Sequence, residues 1–194
     1  MKARKVKKLD PAAPLAENAA PIARARLGEM RAFAAAALKP ENAREQHDMR
    51  IAAKRLRYVL EATEFCFGKP GTVARRRAKS LQDVLGELHD CDLMLPRVKQ
   101  HLDHLRESDA TAVHARAGGA PDLDPKLAAR APNRTAYRGL EILAVYVGAR
   151  RKLLFDRFTD RWAEAESAGV WDDLERAAQE ILRARERGNQ AVVP

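Results

Sequence analysis

From Leu15 onward, apolar residues return at every third or fourth position: Leu15, Ala19, Ile22, Met30, Phe33 and Ala37, with one gap at Arg26 and a stop at Pro40. That period is helical and predicts a first helix. A second, longer helix is expected over 41–67, closed by Gly68 and a Lys69-Pro70-Gly71 turn. A third opens near Thr72 and reaches His89. Asp90-Cys91-Asp92 and Pro96 then predict a kink or restart before a segment ending near Ser108. Residues 109–133 hold Gly118, Gly119, Pro121, Pro125 and Pro132 without sustained periodicity, so they read as an internal flexible linker. Helical spacing resumes over 135–167 through Tyr137, Leu140, Ala144, Val147, Leu154 and Phe158, and after Gly169 a shorter helix covers 171–187. No segment alternates with period two. The expected fold is therefore an all-α bundle of about five to six helices over 15–187, with a flexible basic arm at 1–14 and a frayed tail at 188–194.

Polar positions carry a second pattern on the 41–67 helix. His47, Arg50, Lys54, Arg57 and Glu61 follow one another at steps of three and four, which makes one line along the helix. Met49, Ala53, Leu56, Leu60 and Phe67 make another, and the two lines lie roughly 120° apart around the axis. Arg44 and Arg55 fall away from the cationic line. The third helix repeats the plan. Ala74, Ala78, Leu81, Leu85 and Leu88 form an apolar line, and Arg76, Lys79, Asp83, Gly86 and Asp90 a polar one flanked by Arg75, Gln82 and His89. If both apolar lines enter one core, both polar lines border one groove. Tyr146, Arg150 and Arg157 offer a third contribution from the 135–167 helix. Charged lines are often solvated faces or ion-pair ladders. Here no acid interrupts Arg50, Lys54 and Arg57, and like charges at this spacing cost a few tenths of a kcal/mol per pair, a repulsion that a bound anion relieves.

Composition narrows the class. Aromatics are only 5% of the chain, so alanine, leucine and valine supply the apolar content, as in helix bundles rather than sandwiches. Lys and Arg number 36 against 27 Asp and Glu, a formal net charge of +9 that favours anionic partners: nucleic acid, polyphosphate or anionic lipid. At 194 residues the chain suits one compact domain plus tails better than two very small ones. Cys66 and Cys91 lie in helical patterns without CxxC spacing and read as small buried hydrophobes. With no long apolar run and no apolar stretch after the basic start, a cytoplasmic protein is the default expectation.

The stretch from His47 through Arg50, Lys54-Arg55-Leu56-Arg57-Tyr58, followed by Leu81-Gln82-Asp83-Val84-Leu85-Gly86, closely resembles the CHAD family, the conserved histidine α-helical domain. HxxR, KRLRY and LQDxLG occur together and in order, over roughly residues 15–105. Beyond the linker the resemblance rests on scattered positions such as Arg150, Arg157 and Trp162. It implies helical bundles with a basic groove or pore that binds inorganic polyphosphate, with association to polyphosphate granules as one option. By the same resemblance His47, Arg50, Lys54, Arg57 and Lys79 occupy phosphate-facing positions, and Glu61, Asp83 and Asp90 orient those cations. Arg75, Arg76, Arg150 and Arg157 complete the expected binding set. The family usually shows two related halves, whereas one strong motif pair stands here. A homodimer could supply the second side.

The expected activity is non-catalytic binding, without cofactor or metal. Non-specific binding to a nucleic-acid backbone is the alternative, since it needs only the same charges; the cationic lines hold few aromatics for base stacking. A metal-dependent phosphohydrolase is a weaker rival built on the dipeptides His47-Asp48 and His89-Asp90. Asp48 leaves the His47 line, and no Glu-x-x-His pair exists for a di-iron centre. Weak, purely electrostatic contact of the arm (Lys2, Arg4, Lys5, Lys7, Lys8) with a membrane surface is a third option.

Overall fold

The computed structural model describes residues 3–7 and 9–190, with side chains described up to Arg187. Among them are six α-helices and no strand: α1 (Leu15–Ala37), α2 (Ala43–Thr63), α3 (Gly68–Arg116), α4 (Pro125–Ala128), α5 (Arg134–Ser167) and α6 (Val170–Gln190), with a 3-10 turn at Glu64–Cys66 between α2 and α3. None is long and apolar enough to cross a membrane. Lys2 and Lys8 of the arm and residues 191–194 of the tail lie outside the described residues, and 188–190 are the last residues of α6.

The helices divide into two compact units, one formed by residues up to His89 and from Leu154 onward, the other by Asp90–Leu153. In the first, α1 packs on α2 and on α6. Its core is the apolar lines themselves: Leu27 and Met30 of α1, Met49, Leu56 and Leu60 of α2, Leu81, Leu85 and Leu88 of α3, Phe158 of α5 and Trp171 and Leu174 of α6 are all buried. Each such side chain contributes about 1.5–3 kcal/mol by leaving water. Trp162 stacks on Trp171 at 5.9 Å between ring centroids, which ties the end of α5 to the start of α6.

The α1–α2 corner is held by polar side chains. Buried Gln46 donates through Nε2 to the carbonyls of Lys39 (2.8 Å) and Ala37 (3.2 Å), and Asn42 Nδ2 donates to that of Ala36 (2.9 Å). Ala36 and Ala37 stand in the last turn of α1, where carbonyls have no partner within the helix, and Lys39 lies two residues beyond its end. Glu29, 1% exposed, sits between α1 and α2. Its Oε1 accepts from Arg26 Nη1 at 2.6 Å and from the backbone N–H of Arg4, and its Oε2 lies 4.0 Å from Arg55 Nη1. One backbone amide of the arm, that of Arg4, thus reaches α1.

Two expectations about α3 are corrected. The Lys69-Pro70-Gly71 turn is instead the first turn of the helix. Gly68, at φ 60°, makes the turn, and Pro70 is tolerated because amides in a first turn have no intrahelical acceptor to lose. Gly71 is there for space: a Cβ on it would stand 2.6 Å from the Glu64 carbonyl oxygen. Nor does Pro96 break the helix, which continues to Arg116. Pro96 is exposed, so the carbonyl it deprives of a partner, that of Asp92, can turn to water. Cys66 and Cys91 are free thiols, the second buried and the first half-buried. Burial pushes the Cys66 thiol above its ordinary value.

In the second unit, Asp109 is the buried acid that closes the 117–133 segment onto α3. It accepts from the Asn133 backbone N–H (3.1 Å), from Asn133 Nδ2 (2.9 Å) and from the Tyr137 hydroxyl. Burial pushes its carboxyl up, but the hydrogen bonds from Tyr137 and Asn133 outweigh that and hold it below its ordinary value. A depressed carboxylate contributes stability that is present above its unfolded value of 3.8 and lost as pH falls through the folded one. Asp109→Ala should accordingly speed hydrogen exchange at the Asn133 amide at neutral pH, with the α1 and α2 amides unaffected; unchanged exchange at Asn133 would show that the closure does not depend on this acid.

Candidate anion-binding site

The cationic line of α2 faces α3 along its first half. The rings of His47 and His89 lie 4.2 Å apart between centroids. One turn on, a Cβ on Gly86 would stand 3.3 Å from Arg50 Nε, so the guanidinium lies over the backbone of α3 where that helix has no side chain. The Leu81-Gln82-Asp83-Val84-Leu85-Gly86 motif thus meets the α2 line through its glycine, which any other residue would push away. Sequence spacing marks Gly86 as a member of the polar line but not as the seat of an arginine.

Along the second half, Lys54 and Arg57 flank the ring of Tyr58. Lys54 Nζ is 5.6 Å and Arg57 Cζ 4.4 Å from its centroid, and the tyrosine is 51% exposed. Arg57 Nη1 also donates to Glu61 Oε1 at 3.0 Å. On α3, Lys79 Nζ donates to Asp83 Oδ2 at 3.0 Å, and both are exposed. Arg57 and Lys79 therefore each have an acid one turn further along their own helix.

Four buried polar atoms at this face have no hydrogen-bond partner among protein groups: His47 Nδ1, Arg50 Nε, Arg57 Nε and Gln82 Oε1. Three belong to the α2 line and the fourth to the facing motif of α3. Buried polar atoms are almost always satisfied in folded proteins, so a cluster of exceptions calls for a ligand or solvent. Burial pushes the His47 imidazole below its usual 6.5, its neighbours His89 and Arg50 push the same way electrostatically, and Asp48 opposes them.

The remaining sequence candidates are placed differently. Arg75 pairs with Glu64 at the 3-10 turn, Nε to Oε2 at 2.5 Å, and Arg76 is exposed beside it. Arg157 is exposed on the part of α5 that belongs to the first unit. Arg150 belongs to the second unit, where its Nη1 approaches Cys91 Sγ at 3.8 Å, and Asp90 is that unit's exposed first residue. The structure thus brings His47, Arg50 and the Gln82–His89 stretch together, carries the line on through Lys54 and Arg57, and turns Arg75 to a different partner. Among the described residues no three His, Cys, Asp or Glu side chains are grouped as metal ligands.

The family model of the CHAD domain matches residues 2–99, half of the chain, and includes the whole of α1, α2 and the Gln82–His89 stretch. No curated protein and no solved structure matches the chain.

Proposed function

The chain belongs to the CHAD domain family, and we propose that it binds inorganic polyphosphate, without catalysis, along the α2 line where it faces α3. The observation that carries this reading is the row of buried, unpartnered nitrogens on His47, Arg50 and Arg57. A phosphate chain offers closely spaced anionic oxygens. Arginine's planar fork can grip two of them, lysine acts as a point charge, and the affinity comes largely from released counterions. Arg50 across Gly86, followed by Lys54 and Arg57, supplies such contacts at one-turn intervals. Tyr58 stands beside the line and already holds Arg57 against its ring, which is too little for a base-stacking platform.

His47 gives the test its signature. Free, it resists protonation; a polyanion beside it would favour the charged form and raise its pKa. Binding should then take up a proton, and affinity should rise as pH falls through the raised bound-state value toward that of the free imidazole, which burial holds below 6.5. The measurement is a titration with polyphosphate at several pH values, repeated with single-stranded DNA at matched phosphate concentration, with the polyphosphate run on a gel afterwards. The expected outcome is binding that strengthens at lower pH, survives the DNA and leaves chain length unchanged. Complete displacement by DNA would favour the general nucleic-acid backbone reading, and shortened chains would make the protein a hydrolase.

A further inference from the structure

Helix α5 exposes a second ordered feature, in the part that belongs to the second unit. Gly139, Ile142, Tyr146, Ala149 and Leu153 follow at steps of three, four, three and four, the spacing of a coiled-coil seam, and all five are exposed. Ile142 is 61%, Tyr146 60% and Leu153 50% exposed, and Val145 beside them is 73% exposed. Ion pairs elsewhere on the helix do not cover this stripe: Glu141 turns to Arg106 (2.9 Å) and Arg151 to Asp92 (2.6 Å).

We infer that this face of α5 is a two-fold interface with a second copy of the same chain, the two α5 helices running antiparallel. A two-fold axis at the level of Val147 and Gly148 sets Ile142 against Leu153 of the second copy and Tyr146 against Ala149, so that the largest side chain of the seam meets one of the smallest. The match is self-complementary, as an isologous contact requires. On the flanks, Val145 meets the aliphatic stem of Lys152 and Leu143 that of Arg150, and no like charges stand opposite each other.

The parallel arrangement fails on the same residues. It sets Tyr146 against Tyr146, leaves Ala149 facing Ala149 across a gap, and brings Lys152 toward Arg157 of the second copy. Charge and shape together select the antiparallel pairing. Ile142, Leu143, Val145, Tyr146 and Leu153 are the apolar side chains each copy covers, a small contact against the ~1,000 Å² that a specific interface needs, so the dimer forms and separates with concentration. This inference uses none of the α2–α3 groove and stands or falls independently of what binds there.

Sedimentation velocity on the full chain from about 1 to about 200 µM tests it. A reversible monomer–dimer equilibrium is expected. The double variant Ile142→Glu with Tyr146→Glu should stay monomeric throughout, with its thermal unfolding little changed because both positions are exposed. Geometry is tested separately in a Cys66→Ser, Cys91→Ala background. Under mild oxidation, a mixture of Ile142→Cys and Leu153→Cys chains should form disulfide-linked heterodimers, and each variant alone should not. A chain that is monomeric across the range, a dimer indifferent to the glutamates, or crosslinks within each variant alone would overturn the inference.

Discussion

Replacing Lys54 and Arg57 together by glutamine is expected to weaken polyphosphate binding roughly a hundredfold at about 0.1 M salt and to make the slope of log affinity against log salt shallower by about two. Each phosphate contact contributes close to one unit of that slope, so at ~0.1 M salt each is worth about a factor of ten. Glutamine is the better choice than glutamate here. Arg57 lies 3.0 Å from Glu61, and a carboxylate in its place would repel that neighbour and mix a local structural change with the loss of a contact. The paired control is Arg44→Gln with Arg183→Gln, two exposed cations off the line whose removal changes net charge equally. Arg55 is also off the line but unsuitable, since its guanidinium stands beside buried Glu29. Titration at several salt concentrations separates the cases: equal loss in both double variants would mean that net charge alone attracts the anion.

Glu29→Ala is expected to cost about 3–5 kcal/mol of folding stability, the usual penalty for removing one member of a buried ionic group. Glu29 is almost fully enclosed, and Arg26 and Arg55, with side chains 15% and 26% exposed, both face it. Alanine leaves these two positive groups without that acid and releases the Arg4 amide. Against a typical total of about 5–15 kcal/mol, the loss is enough to leave part of the protein unfolded near physiological temperature. Glu29→Gln keeps an oxygen for Arg26 and Arg4 and removes only the charge, so its urea midpoint should fall between those of the wild type and Glu29→Ala. A midpoint for Glu29→Ala within experimental error of the wild type would show that the arginines find water instead.

What the sequence made legible follows from which signals are periodic. Leu15, Thr63 and Ser167 bound their helices within a few residues of where apolar spacing and turn residues put them, and the buried faces of α2 and α3 are the expected lines. Pro96 and Pro70 escape sequence reading for one reason: a proline's effect depends on whether its missing hydrogen bond matters at that site, which exposure and position in the helix decide. In the site, spacing placed His47, Arg50, Lys54 and Arg57 on one line, but the contacts of His47 with His89 and of Arg50 with Gly86 join residues 42 and 36 positions apart, beyond the reach of helical periodicity. Arg75 lay next to the polar line, and nothing local announced that Glu64, across the turn, would take it. Glu29 was silent too, because one acid three residues from an arginine is an ordinary helix-surface pair until the fold closes over it.

The acids placed one turn beyond Arg57 and Lys79 bear on how long any anion stays. Glu61 and Asp83 are tethered competitors. Each is fixed within reach of its cation at a high effective concentration, ready to take it back whenever a phosphate oxygen lets go. An incoming chain must share or displace them contact by contact, and for the same reason it can leave contact by contact, without all its attachments breaking at once. Such a surface favours short residence at any one register and sideways movement of the chain along the helix over a single tight grip.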